Sequence, residues 1–151
     1  MNINTFGIRF NSDRIGELVK ENTFAYSTNE TVIDSPEKAA KIIESLWDAS
    51  NLAQEHFWLL ALDGGRKVAG AFTVTVGTLM SSLVHPRECF QRAILAGAAS
   101  IIVAHNHPSG SLDISEQDRE VTRRLRQAGD LLGIRLDDHV IIADGDFVSA
   151  Y

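Results

Sequence analysis

The segment His56–Leu62 constrains the fold of this chain more than any other. It is a near-continuous apolar run, it ends at the turn Asp63-Gly64-Gly65, and Val68–Val76 follows as a second apolar segment. This pattern predicts a β hairpin. Short apolar runs beside turn residues predict further strands at Ile101–Ala104, Val140–Ala143 and Phe147–Ser149.

Three helices are predicted around these strands. One has Ser35 as its N-cap and Pro36 as its first residue, one begins at Pro86, and one begins at Ser115 and stops at Gly133. The order helix, hairpin, helix, strand, helix, hairpin is typical of an α/β layered domain with helices packed on a mixed sheet. The chain is too short for an eightfold barrel.

Length and composition fit one folded domain behind a shorter arm. The chain has 151 residues, of which 44% are hydrophobic and 23% are charged, as in ordinary globular domains. We expect residues 1–34 to form a looser N-terminal arm, with at most a short helix near Arg14–Lys20. Residues 35–151 are then the folded domain.

Charge and cysteine content exclude several classes of protein. The formal net charge of −6 disfavours general nucleic-acid binding, which depends on an excess of Lys and Arg. The single cysteine, Cys89, excludes an internal disulfide framework and a four-thiolate zinc site. The apolar runs are far shorter than the roughly 20 residues that span a bilayer. We therefore expect a cytoplasmic protein without a membrane span.

The densest group of polar residues follows the predicted strand Ile101–Ala104. His105 and His107 alternate with Asn106 there, so both imidazoles project to the same side of an extended chain. The loop after them turns back and brings Asp118, in the first turn of the next helix, towards the same point. Two imidazoles and one carboxylate suit Zn²⁺ and leave a fourth position open, which is typical of a catalytic zinc site.

The same stretch contains groups that suit hydrolysis. A zinc ion with one carboxylate ligand keeps a net positive charge and lowers the pKa of a bound water. The hydroxyl of Ser115 could donate to the oxyanion that forms when a carbonyl is attacked. A further carboxylate is needed to move a proton from the water to the leaving amine.

These residues resemble the motif of a known family. His105-x-His107-Pro108, then six residues, then Ser115-x-x-Asp118 resembles the JAMM motif of the JAB/MPN metalloprotease superfamily, and the wider sequence around it is similar to the RadC-like branch. The resemblance implies a three-layer α/β/α sandwich with a cytidine-deaminase-like fold. It also implies that His105, His107 and Asp118 bind one catalytic Zn²⁺ and that Ser115 lies on the oxyanion side.

The superfamily's proton-shuttling glutamate lies upstream, at the start of an apolar strand, and Glu55 matches that position. Glu88 is the alternative, but it follows Pro86 in the first turn of a predicted helix, where an acidic residue is favourable for the helix itself. The resemblance therefore implies a hydrolase of peptide or isopeptide bonds with Glu55 as the proton shuttle.

Other interpretations remain open on the sequence alone. Ser115-x-x-Asp118 also matches a capping box, and His139 fits either a hydrogen-bonded neighbour of the metal site or a satisfied histidine at a strand edge.

A non-enzymatic MPN-type scaffold, or a DNA-associated RadC-like protein, would keep the same metal site. The arginines after the motif, Arg119, Arg123 and Arg126, lie on one helix face, which could receive an acidic partner or a phosphate backbone. Acidic residues on the same helix offer these arginines partners and favour a solvated surface: Glu116, Glu120 and Asp130. The chain is expected to be a monomer or a homodimer.

Overall fold

The computed structural model describes residues 1–27, 31–77 and 84–151, and within them seven strands form one mixed sheet. The strands are β1 Asn2–Phe10, β2 Gly16–Ala25, β3 His56–Leu62, β4 Val68–Val76, β5 Ser100–Asn106, β6 Arg135–Ala143 and β7 Asp146–Ser149. Their order in the sheet is β2-β1-β4-β3-β5-β6-β7. The pairs β1–β4 and β5–β6 are parallel, and the other neighbours are antiparallel.

Three α-helices begin where the sequence places their caps. They are α1 Pro36–Trp47, α2 Pro86–Leu95 and α3 Glu116–Leu132. The Ser35 hydroxyl accepts a hydrogen bond from the Lys38 N–H at the start of α1, and α3 ends at Gly133 with a φ of 73°. A left-handed C-cap of this kind favours glycine, which has no Cβ to clash.

The helices cover both faces of the sheet and give it two cores. On one face, Ile42, Ile43 and Leu46 of α1 pack against strand residues such as Trp58 and Ile102. On the other face, α2 and α3 pack against the alternate residues of the same strands. The three-layer α/β/α architecture predicted for this chain is confirmed, with β3 and β5 buried at its centre.

The N-terminal region differs from the prediction. Instead of a loose arm with a short helix near Arg14–Lys20, β1 and β2 form an antiparallel hairpin, and β1 extends the sheet by pairing with β4 at Thr5 and Ala71. The apolar residues of β1 are divided between the two faces, since Ile3 joins the α1 core and Phe6 packs against the other. This division hides the one-sided alternation by which half-buried strands are recognised.

A further difference concerns the length of β5. The strand predicted at Ile101–Ala104 extends from Ser100 to Asn106, so that His105 lies inside β5 and not after it. The loop after β4 lies mostly outside the described residues. No helix in the described part of the chain has an apolar stretch long enough to cross a membrane.

Candidate metal centre

His105 and His107 lie at the end of the central strand β5. His105 is fully buried, and its ring stacks on Phe57 of β3 with 6.1 Å between the ring centroids. His107 follows the strand, and its N–H donates to the Ile142 carbonyl of β6. The two histidines project to the same side because successive residues of an extended chain point to opposite faces.

Asp118 approaches the histidines from the first turn of α3. The Ser115 hydroxyl accepts a hydrogen bond from the Asp118 N–H at 3.0 Å, and the Asp118 Oδ2 accepts one from the Ser115 N–H at 2.9 Å. This is the capping box that the sequence allows, and it fixes the carboxylate at the helix start. The same carboxylate faces His105 and His107, so the capping and metal-ligand interpretations do not exclude each other.

The three side chains converge on a single point. The Nε2 atoms of His105 and His107 are 3.0 Å apart, the His105 Nε2 is 3.1 Å from the Asp118 Oδ1, and the His107 Nε2 is 3.4 Å from the Asp118 Oδ2. Ligands of a tetrahedral zinc at bond lengths near 2.1 Å are about 3.4 Å from one another. Two imidazoles and one carboxylate at these separations could therefore hold a metal ion.

The remaining ring nitrogens are engaged in a way that favours metal binding through Nε2. The His107 Nδ1 is 2.8 Å from the Ser111 carbonyl, which can only accept a hydrogen bond. That contact places the proton on Nδ1 and leaves a lone pair on Nε2. The His105 Nδ1 lies 2.8 Å from the His139 Nε2, so His105 also presents its Nε2 to the cluster.

A chain of hydrogen bonds connects His105 back to the main chain at Asp118. If the His105 Nδ1–H donates to the His139 Nε2, then the His139 Nδ1–H donates to the Thr122 Oγ1, which is 2.7 Å away. The Thr122 hydroxyl in turn donates to the Asp118 carbonyl at 3.0 Å. His139 is therefore a buried neighbour of the candidate metal cluster rather than a histidine at a strand edge.

Thr122 is a site residue that sequence reasoning missed. It is one helical turn after Asp118 on α3 and is 5% exposed. A spacing of four residues places both side chains on one face of a helix, and this is the signal that could have found it. The identity of its partner, His139, depends on how α3 packs against β6.

Burial and hydrogen bonds change the pKa values of His107, Asp118 and the neighbouring His139 in the metal-free protein. A hydrogen bond with Asp118 raises the pKa of His107. Burial alone would raise the pKa of Asp118, but hydrogen bonds with His105 and His107 lower it well below its ordinary value. Burial lowers the pKa of His139, and the nearby His105 lowers it further. His139 is therefore neutral, as the hydrogen-bond chain requires.

Glu55 and Ser115 border the same depression as the cluster. This depression has a volume of about 310 Å³, and its walls include Glu55, His107, Ser115 and Asp118. Glu55 immediately precedes β3, where the sequence places it. Glu88 lies in the first turn of α2 and lines a different depression, beside Arg9 and Gln91.

Several polar residues outside the cluster, and Cys89, have structural roles. The His85 ring nitrogen accepts from the Arg87 N–H at the start of α2. Burial raises the pKa of the Cys89 thiol to about 12, so this cysteine is an inert core residue. On the exposed face of α3, Arg119 and Arg123 form ion pairs with acidic residues one turn before them.

Comparison with known families agrees with this geometry. Residues 33–151 match the RadC-like JAB domain. The chain belongs to this family. Among its curated relatives, a UPF0758 protein of Rubrobacter xylanophilus is 45% identical over 131 residues, which cover 87% of this chain and 57% of the relative. The UPF0758 protein YsxA of Bacillus subtilis is 46% identical over 136 residues, which cover 90% of this chain and 55% of the relative.

The matched range, residues 33–151, contains the elements from α1 to β7 and the His-x-His-Pro motif at the end of β5. This chain spans about half the length of the curated relatives that it matches.

Proposed function

We propose that this RadC-like domain is a zinc-dependent hydrolase that cleaves a peptide or isopeptide bond. The observation that carries the proposal is the convergence of His105, His107 and Asp118, together with the Ser111 contact that leaves the His107 Nε2 free for a metal. Three protein ligands with an open position suit catalytic zinc better than structural zinc, which is usually held by four.

The chain would supply the groups that hydrolysis needs around such an ion. A zinc ion in this site would polarise the scissile carbonyl and make water a better nucleophile. Glu55, on the wall of the same depression, would accept a proton from the attacking water and return it to the leaving amine. The Ser115 Oγ accepts from the Asp118 N–H, which leaves its own O–H to donate to the substrate oxygen.

A peptide substrate is favoured over a nucleic acid. The net charge is −6, and the arginines Arg119 and Arg123 on α3 already have acidic partners. Phosphate binding depends on Lys and Arg that are free to displace counterions. The depression itself is lined by the carboxylates of Glu55 and Asp113, which would repel a phosphate backbone.

The test compares metal content with turnover. We expect the purified chain to bind one equivalent of Zn²⁺ and to cleave members of a pool of internally quenched peptides or a lysine-isopeptide substrate. Glu55→Gln should keep the zinc and lower kcat by about 100-fold or more, because general acid–base catalysis contributes about 10²–10⁴-fold. His107→Ala should lose both zinc and turnover.

Glu88→Gln is the matched control, because Glu88 lines a different depression. It should keep the zinc content and the turnover of the wild type. Full turnover in Glu55→Gln would eliminate Glu55 as the proton shuttle. A wild-type chain that binds zinc but cleaves neither substrate would favour a scaffold role for the domain.

A further inference from the structure

Asn106 separates the two histidines of the motif and points away from them. His105 and His107 project towards the side of the sheet covered by α2 and α3, so the residue between them projects towards the α1 side. Asn106 is only 1% exposed. A buried amide is costly unless its donors and acceptor are satisfied, and its partners therefore indicate what it does.

The side chain of Asn106 binds the main chain on both sides of Glu55. Its Oδ1 accepts a hydrogen bond from the His56 N–H at 2.7 Å, and its Nδ2 donates to the Gln54 carbonyl at 3.0 Å. These two residues are the immediate neighbours of Glu55, and they are 50 and 52 positions from Asn106 in the chain. One amide thus links the metal-binding strand end to the segment that carries the glutamate.

This link lies where the strand pairing stops. The ladder between β3 and β5 ends at the pair Phe57 and His105, and Glu55 lies beyond it. On the other side, the Glu55 carbonyl accepts from the Gly77 N–H at 2.8 Å. The main chain of Glu55 is therefore held from two directions, by Gly77 after β4 and by the Asn106 amide after the last pair of the β3–β5 ladder.

We propose that Asn106 is a positioning residue that holds Glu55 at the proton-transfer position beside the metal ligands. The inference rests on the proposed function. A proton shuttle has to lie within about 2.6–3.2 Å of the atoms that it serves, and small displacements are expensive in rate. Since Asn106 lies between His105 and His107, its amide keeps the ligand pair and the glutamate in one geometry. A serine in place of Asn106 would offer only one hydroxyl and would be too short to bind both the His56 N–H and the Gln54 carbonyl.

The test measures the position of Glu55 without relying on activity. Cobalt(II), a paramagnetic substitute for zinc, is bound to the wild type, to Asn106→Ala and to the milder Asn106→Ser. Pseudocontact shifts of the ¹³C-labelled Glu55 side chain then report its location relative to the ion. Asn11→Ala is the matched control, because the Asn11 Oδ1 also accepts from two main-chain N–H groups, those of Asp13 and Ile15 in the β1–β2 turn.

We expect the Co²⁺ affinity of the Asn106 variants to stay within about threefold of the wild-type value. The pseudocontact shifts of Phe57 and Val103 should not change, while those of Glu55 should. Exchange of the His56 amide hydrogen should rise by about tenfold or more, because it loses its acceptor. On the peptide that the wild type cleaves best, kcat should fall by about 10–100-fold with KM nearly constant. The same change in a Glu55→Gln background should cost less than about twofold further.

Three outcomes would overturn the inference, and they can be told apart. If a folded Asn106 variant shows the wild-type Glu55 shifts, the positioning role is wrong and the proposed hydrolase stands. If Co²⁺ affinity falls as far as kcat, Asn106 acts on the ligands and not on Glu55. If the wild type binds neither Co²⁺ nor Zn²⁺, the proposed function fails, and the inference fails with it.

Discussion

Asp118 and Asp137 are two buried carboxylates near opposite ends of β5, and they differ in the groups that face them. Both side chains are 3% exposed. Asp137 accepts a hydrogen bond from Ser100 and lies beside the guanidinium groups of Arg66 and Arg135. Asp118 instead faces two imidazoles, which carry either lone pairs or dissociable protons.

The comparison shows that burial alone does not mark a functional carboxylate. Arginine stays protonated at any accessible pH, so two guanidinium groups balance the charge of the Asp137 carboxylate without a further ligand. Asp118 is neutralised only when protons or a cation are shared with His105 and His107. A metal-binding carboxylate needs neighbours that can give up a proton and accept a cation instead. The imidazoles of His105 and His107 can do this, and the guanidinium groups beside Asp137 cannot.

The largest expected effect separates the two carboxylates directly. Asp118→Asn removes the charge but keeps an oxygen for the Ser115 N–H, so α3 should keep its cap. We expect zinc affinity to fall by more than about 100-fold, since even residues that only support a ligand are worth about 10–100-fold. A competition titration against a chromophoric chelator measures the change.

Asp137→Asn is the control for that experiment. Its zinc affinity should equal that of the wild type, while the free energy of unfolding in urea should fall by about 1–3 kcal/mol, because hydrogen bonds to a charged group are lost. If Asp118→Asn bound zinc normally, the difference between the two sites would disappear.

The second prediction concerns pH. The raised pKa of His107 means that, without metal, its pairing with Asp118 stabilises the fold fully below pH 6.5, and that this stabilisation is lost as pH rises through the raised pKa. The lowered pKa of Asp118 contributes above about pH 3.8 and is lost as pH falls through the lowered value. A zinc ion bound here would replace the proton on His107, so the stabilisation of the fold by zinc should increase from pH 5.5 to pH 8.

Melting curves with and without zinc at each pH measure this increase. At a free zinc concentration of 100 times Kd, the gain near pH 8 should reach about 2.7 kcal/mol. Asp137→Asn should show the same increase with pH, and Asp118→Asn should show little response to zinc at either pH. A zinc effect that did not depend on pH would contradict the assignment of His107 as a ligand.

The third prediction tests the hydrogen-bond chain behind His105. Thr122→Val keeps the shape of the side chain but removes the hydroxyl, so the His139 Nδ1–H loses its acceptor. We expect zinc affinity to fall by about tenfold. Thr5→Val, at an equally buried threonine of β1, should leave the affinity unchanged. Equal zinc affinities in the two variants would mean that the hydrogen bonds through His139 and Thr122 do not orient His105.

The smallest effect is expected at the exposed edge of the Asp137 cluster. Arg135 is 64% exposed, so Arg135→Gln should lower the free energy of unfolding much less than Asp137→Asn does. Urea unfolding measures this, and zinc affinity should not change. A change in zinc affinity would show that the two ends of β5 are coupled.

Predictions from the sequence succeeded where the signal is local. Ser35, Pro36 and Gly133 define helix ends through their own dihedral preferences and capping groups, and the hairpin of β3 and β4 follows from its apolar runs. The candidate ligands were found because three residues at fixed spacing carry the chemistry of a metal site. Their convergence in space needed only the return of the loop between β5 and α3.

The remaining features depend on contacts between distant parts of the chain. The pairing of β1 with β4 at Thr5 and Ala71 has no local signature. Thr122 and Asn106 look like ordinary polar residues until α3 packs on β6 and β3 pairs with β5. Thr122 shares a helix face with Asp118, but its partner His139 is 17 positions away, and the partners of Asn106 are 50 and 52 positions away. At those separations side-chain spacing carries no information.

The alternation of His105, Asn106 and His107 has a consequence for how this family can diverge. Insertion or deletion of one residue inside β5, before His105, would turn both imidazoles towards α1 and the Asn106 amide towards α2 and α3. Such a change would separate the candidate ligands and, at the same time, remove the hydrogen bonds of Asn106 to the main chain on both sides of Glu55. We therefore expect β5 to change among homologues by substitution alone, without a change in its length.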